Sequence, residues 1–165
     1  ESVFQPAFAS DGTLYFVSDR SHWWNLYRFR SGQIEPLAAM EAEFGQPQWI
    51  FGMSTYAFVS ERRIVCAFNR EATWRLALLD TETRQMDIIE TPFSDIGGVA
   101  AYHGKAVFVA ASPTMPPART AATWKASSGS APVSDEAPLR RRPALDSRIS
   151  ARVLAVPEGA SFFWR

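Results

Sequence analysis

The chain has 165 residues, a length that suggests about one domain, and its 47% apolar and 13% aromatic content suffices for a buried core. Its 17 Lys and Arg balance 17 Asp and Glu, which excludes a basic face for nucleic acid and an acidic block for a cationic partner. No apolar run of about 18 residues is present, so no membrane-spanning helix is expected, and the single cysteine, Cys66, has no partner for an internal disulfide, which points to a reducing, cytoplasmic setting.

Short strands separated by turns follow from the N-terminus onward. Residues 5–8 read as a strand, Ser10-Asp11-Gly12 as the turn that reverses it, and 13–18 (TLYFVS) as its hairpin partner. Residues 24–29 form the next strand after a loop at 19–23, and Gly32 turns the chain into 34–37. Four consecutive strands of this kind make one antiparallel blade. A second set reads 54–60, 63–69, 74–80 and 85–90, with polar joints at 61–62, 70–73 and 80–83. A third begins with 97–102, turns at 103–105 and continues through 106–111. Residues 64–68 (IVCAF) are apolar without alternation, as expected of a strand covered on both faces.

These sets are copies of one another. Residues 14–29 (LYFVSDRSHWWNLYRF) laid over 64–79 (IVCAFNREATWRLALL) place Arg20 on Arg70, Trp24 on Trp74 and Leu26 on Leu76, at an offset of 50 residues. Residues 106–110 (AVFVA) open a third copy 42 residues further on, with Pro113, Pro116 and Pro117 assigned to its turn. A period of this size built from short strands marks propeller blades. The expected fold is therefore all-β, with about three four-stranded antiparallel blades of an incomplete β-propeller at about 1–40, 41–92 and from 93 to 117 onward.

Beyond residue 117 the pattern decays. Six of the eleven prolines lie between Pro113 and Pro143, and residues 118–150, rich in Pro, Ala and Arg, have little apolar surface to offset the entropy of ordering them. That segment is expected to be irregular apart from a strand at 118–124, and 151–165 to hold further strands at 153–156 and 161–164. Because three blades do not close a ring, and because the chain opens on Glu1 rather than Met, it is expected to be a piece of a longer polypeptide.

Chemistry-bearing residues are few. Gly52-Met53-Ser54-Thr55-Tyr56 approaches a nucleophile elbow but lacks its second glycine and precedes a strand instead of a helix, so Ser54 is read as structural. His22 and His103 read as surface turn residues, with no carboxylate spaced to orient either as a base. One cysteine and two scattered histidines do not make a metal site, and no phosphate-binding glycine pattern occurs, so no cofactor is expected. Cys66 reads as a small buried hydrophobe. Trp24 and Trp74, at equivalent positions, read as packing between blades, whereas Trp23, replaced by Thr73 in the second copy, is the best candidate for an exposed contact. Arg140, Arg141 and Arg142 read as solvated tail.

The run 41–56 (EAEFGQPQWIFGMSTY), with 14–28 before it and 106–117 (AVFVAASPTMPP) after it, resembles the β-propeller region of prolyl oligopeptidase-family serine peptidases, bacterial dipeptidyl aminopeptidase and acylaminoacyl-peptidase-like members in particular. The resemblance covers about residues 3–117 and, weakly, 153–158; residues 119–150 depart from it. It implies a propeller set over an α/β-hydrolase catalytic domain of the same polypeptide, admitting short peptides to a Ser-Asp-His site. In such enzymes propeller glutamates bind the free amino group of the substrate, and paired carboxylates such as Glu41 and Glu43 suit that chemistry, although these two do not align with the motif. Two functions follow. One is a gating propeller fragment of a serine exopeptidase, not catalytic alone. The other is a free-standing binding module for peptide or glycan that self-associates through its open sheet edges.

Overall fold

In the computed structural model, which describes residues 1–124, 148–149 and 151–155, strands form wherever the sequence alternates or saturates with apolar side chains, and no helix occurs among the described residues. Blade 1 comprises β1 (Val3–Phe8), β2 (Leu14–Ser18), β3 (Asn25–Arg30) and β4 (Gln33–Pro36). Blade 2 comprises β5 (Tyr56–Ser60), β6 (Arg63–Arg70), β7 (Thr73–Asp80) and β8 (Met86–Ile89). Blade 3 is built from β9 (Asp95–Tyr102), β10 (Lys105–Ser112), β11 (Met115–Trp124) and β13 (Ala151–Ala155). Each blade is an antiparallel meander in chain order, as an all-β incomplete propeller requires, with one addition. The two-residue β12 (Arg148–Ile149) joins blade 2 as a fifth strand, parallel to β8.

The turns are set by backbone chemistry. Ser31-Gly32, Glu71-Ala72 and His103-Gly104 are two-residue loops with both central residues at positive φ, the arrangement whose twist matches that of the flanking strands. Four strand pairs carry a bulge, one of them at Val59 between β5 and β6, and the other three put two residues against one. Gln5 and Pro6 oppose Phe16, Gly98 and Val99 oppose Phe108, and Pro116 and Pro117 oppose Ala111.

The last of these corrects the sequence reading of the third copy. Only Pro113 lies in the turn; Pro116 and Pro117 lie within β11, where the bulge spares them the ladder hydrogen bonds that proline cannot donate. The strand then runs on through Trp124 and takes in the strand expected at 118–124. Pairing with β13 keeps 118–124 extended despite its low apolar content. The stretch 125–147, expected to be irregular, and the strand expected at 161–164 lie outside the described residues.

Two apolar layers hold the blades together. Phe4, Tyr15, Val17 and Leu26 of blade 1 pack on Tyr56, Ile64, Cys66, Phe68 and Leu79 of blade 2, with Leu37 and Phe44 of the connection sealing one end. Val65, Ala67, Leu76 and Leu78, the alternate residues of the same central strands, pack on Ile96, Val99, Phe108 and Ala110 of blade 3. Trp24 lies against the first layer and Trp74 against the second, so the equivalence expected from the repeat is met in space. Gly45 makes room for the first of these rings, since a Cβ there would lie 2.7 Å from Cε3 of Trp24.

Polar ties complete the seams. The side-chain carbonyl of Gln5, a residue held at φ 49 by its bulge, accepts from the Thr55 amide at 2.8 Å, and its amide donates to the Tyr56 carbonyl at 2.7 Å. Ser54 and Val99 exchange two bonds between blades 2 and 3. Away from these first strands, the buried Arg28 guanidinium meets Glu35 at 2.9 Å, Glu82 at 3.0 Å and the Thr81 carbonyl at 3.0 Å, while Arg84 holds Glu35 from the other side. Burial alone would lower the Arg28 pKa, but the hydrogen bond and charge of Glu35, with Glu82, outweigh it and raise it. In return the Arg28 bond holds the Glu35 carboxyl below the usual carboxylate range.

Two outcomes follow from this packing. Gly45→Ala should destabilise the chain by roughly 1–3 kcal/mol, read from its urea midpoint, because Trp24 must leave its rotamer; an unchanged midpoint would mean that the ring is not confined. Glu35 ionises more readily folded than unfolded, so its contribution is complete above the ordinary value of 4.5 and disappears as pH falls through the lowered one. The midpoint difference between the parent chain and Glu35→Gln should therefore close as the pH falls below the ordinary value of 4.5. A difference that widened on acidification would contradict the Arg28 clasp.

Candidate functional site

The meander gives the sector two unlike ends. The tight β3–β4 and β9–β10 turns lie at one end, and the β2–β3 loop and the long connections between blades at the other. Backbone pairing fixes that second group: the Phe44 amide bonds to Trp24 O and the Trp74 amide to Ser94 O, joining each hairpin loop to the connection that follows its blade. Six residues separate β2 from β3 while two separate β6 from β7, although the repeat aligns the segments without gaps. In blade 2 the ladder zips as far as Arg70 and Thr73. In blade 1 the buried Asn25 instead donates to Ser21 Oγ, Trp23 O and Met40 O, holding the loop open.

The residues singled out from sequence have separate fates. Ser54 Oγ donates to Val99 O at 2.8 Å and serves the seam between blades. His22 sits at the loop-bearing end and His103 in the β9–β10 turn at the opposite end, its ring 4.1 Å from that of Tyr102, so the two do not meet. Glu43 is engaged, its carboxylate accepting from the Trp24 amide at 2.9 Å and its backbone pairing with Asn69. Glu41 is exposed and borders a separate groove of about 330 Å³ with Arg70 and Arg84, so the two glutamates do not form a pair aimed at one ligand. Trp23 is 39% exposed at the loop-bearing end. Cys66 is wholly buried, and burial pushes its thiol up to about 12. Among the described residues no group of three His, Cys, Asp or Glu is placed to hold a metal. Arg140, Arg141 and Arg142 lie outside the described residues.

What sequence reasoning missed is the connection between blades 1 and 2. Trp49 is 85% exposed, Ile50 71% and Phe51 fully, three consecutive large apolar side chains turned to water. Gly52, at φ 81, reverses the chain behind them. A groove of about 360 Å³ runs between Ile50, Phe51 and the start of blade 3, with Gly97 and Gly98 in its lining and Asp95 at its edge. The signal was present as a Trp-Ile-Phe run between Gln48 and Gly52 that fits neither strand alternation nor a buried position.

No family profile and no curated protein matches this sequence. Solved structures do. A puromycin-hydrolyzing peptidase of Mycobacterium tuberculosis superposes with a TM-score of 0.66 at 26% identity over 73% of this chain. A puromycin hydrolase superposes at 0.67 with 29% identity over 72%. The chain resembles the β-propeller region of prolyl oligopeptidase-family peptidases. It spans 19% and 18% of the lengths of those two chains. TolB of Acinetobacter baumannii, at 16% identity and a TM-score of 0.55, shares the propeller fold.

Burial and the raised pKa of Cys66 make a direct prediction. A disulfide exchange reagent should fail to label the folded chain at neutral pH and should react fully in denaturant, since only the thiolate attacks. Rapid labelling without denaturant would show that the seam between blades 1 and 2 opens.

Proposed function

We propose that the chain is the propeller part of a serine peptidase acting on short peptides, and that it restricts access to a catalytic α/β-hydrolase domain of the same polypeptide without being catalytic itself. The observation that carries this reading is the superposition, at 26–29% identity, on a puromycin-hydrolyzing peptidase and a puromycin hydrolase. Sector geometry supports it. The first strands β1, β5 and β9 are tied edge to edge by Gln5 and Ser54, the arrangement that lines the middle of a ring when further blades follow. The exposed Trp49–Ile50–Phe51 segment stands at the end where the connections between blades collect. Gating is then steric: a narrow opening excludes folded proteins and passes short chains. A dipeptidyl or acylaminoacyl preference and a cytoplasmic location belong to the same proposal, the latter supported by the free buried thiol of Cys66.

The test has two arms. The purified 165-residue chain should leave aminoacyl and dipeptidyl chromogenic substrates intact. The reading frame downstream of Arg165 should encode a Gly-x-Ser-x-Gly element followed by an Asp and a His, and the complete polypeptide should cleave short peptides while sparing folded proteins. Turnover by the 165-residue chain that survives repeated purification, or a complete polypeptide that cleaves nothing, overturns the reading.

A further inference from the structure

The groove at the seam between blades 1 and 2 draws on the connection that leaves β4, on β8 and on the turn before it, and takes no residue from the first strands β1, β5 and β9. Its floor is apolar: Leu37 and Met86 are buried, and Met40 packs against the core beneath. Two guanidinium groups border it, those of Arg70 and Arg84, against the one carboxylate of the exposed Glu41. Arg84 donates to Glu35 through Nη2. Arg70 is half-buried and enters no ion pair of the described residues, which join Arg20, Arg28, Arg30 and Arg84 to Glu1, Glu35 and Glu82.

The repeat shows what Arg70 lacks. Its counterpart in blade 1, Arg20, lies over the Tyr27 ring at 5.7 Å and pairs with Glu1 at 3.7 Å. At the offset of 50 residues, Ala77 stands in place of Tyr27 and Phe51 in place of Glu1. Arg70 therefore keeps the charge of its counterpart without either group that satisfies it. A partly desolvated cation beside apolar walls favours an anion, and a planar guanidinium suits a carboxylate. Glu41 at the rim opposes a second negative charge on the ligand.

We propose that this groove binds a small apolar monocarboxylate, its carboxylate at Arg70 and its apolar body on Leu37, Met40 and Met86. A volume of about 330 Å³ lies at the small end of ligand sites and holds a body about the size of one amino-acid residue. Two sources share that chemistry: a free branched-chain carboxylic acid, and the C-terminus of a peptide that ends in an apolar residue. The site goes beyond the peptidase reading and does not rest on it, because it is built away from the first strands that would line the middle of a ring.

Calorimetric titration of the 165-residue chain with 4-methylpentanoate and with N-acetyl-Gly-Leu tests the assignment. Saturable binding of either supports it, and the tighter of the two identifies the source. The corresponding amide, which lacks the charge, and acetate, which lacks the apolar body, should each bind about tenfold or more weaker. Arg70→Gln should weaken binding by a similar factor. So should Ala39→Trp, which fills the groove from an exposed lining position and leaves Arg70 in place. Arg75→Gln, which removes an exposed arginine of β7, should bind like the parent. No binding of either acid, amides that bind as well as the acids, undiminished binding by both groove variants, or an equal loss from Arg75→Gln overturns the site. A complete polypeptide that cleaves nothing would end the peptidase reading and leave these titrations as they are.

Discussion

A sheet with two apolar faces is unstable alone, and blade 2 is such a sheet. The five residues from Ile64 to Phe68 are all excluded from water because Ile64, Cys66 and Phe68 face blade 1 while Val65 and Ala67 face blade 3. Side-chain alternation along a strand then dictates that blades flank it on both sides and that their facing residues be equally apolar. The remaining features serve this sandwiching. Gln5 and Ser54 register the first strands against one another, and Arg28, far from them, closes the seam with the β7–β8 turn through Thr81 and Glu82. A buried guanidinium is tolerated at that seam because two carboxylates and a carbonyl replace its water.

Once the seams are fixed by strands, the two ends are free to differ. At three of the joints within blades, two-residue turns with positive φ suffice, and even Glu71-Ala72 accepts that conformation in blade 2. Where the chain passes from one blade to the next, it must travel from the fourth strand back to a new first strand, and nineteen residues do so between Pro36 and Tyr56. Part of that path is spent on structure: Leu37 and Phe44 enter the core, Glu43 pairs with Asn69, and Gly45 clears Trp24. The part from Gln46 to Met53 enters no such ladder, and it is there that the exposed side chains and the groove occur.

Most of the fold was legible because it is written in periodicity. The offset that aligned Trp24 with Trp74 is the offset between two seams, and the unbroken apolar run at Ile64 announced a strand packed on both faces. What periodicity does not encode was misread or missed. Pro116 and Pro117 looked like a turn because proline disfavours a ladder, yet a bulge accommodates them inside β11. The parallel partner of β8 is the two-residue β12, and a two-residue strand carries no pattern to detect. Glu41 and Glu43 are two positions apart, a spacing that a regular strand would put on one face, but the connection that carries them is not a strand, and Glu41 faces water while Glu43 accepts from a backbone amide. The groove was invisible for a different reason: Asp95 and Phe51 are distant in sequence and line one groove only because blades 2 and 3 meet, at a seam that the two bonds between Ser54 and Val99 help to tie.

Two kinds of exposed apolar surface remain, and they have different causes. Phe29 and Ile34 stand opposite each other on the side of blade 1 that faces away from blade 2. On that same side Phe16 and Tyr27 stack at 5.9 Å under Arg20, which leaves both buried although no blade covers them. A neighbouring blade laid on that flank would cover Phe29 and Ile34 as blade 1 covers Ile64 and Phe68, and the solved peptidases, of which this chain spans less than one fifth, have the length to supply it. Trp49, Ile50 and Phe51 are not explained in this way. They belong to a loop at the end of the sector, outside any ladder, and ring closure adds sheets beside blades rather than above their ends. Exposure of the first kind is a consequence of blade architecture, whereas exposure of the second kind is not relieved by adding blades to the ring.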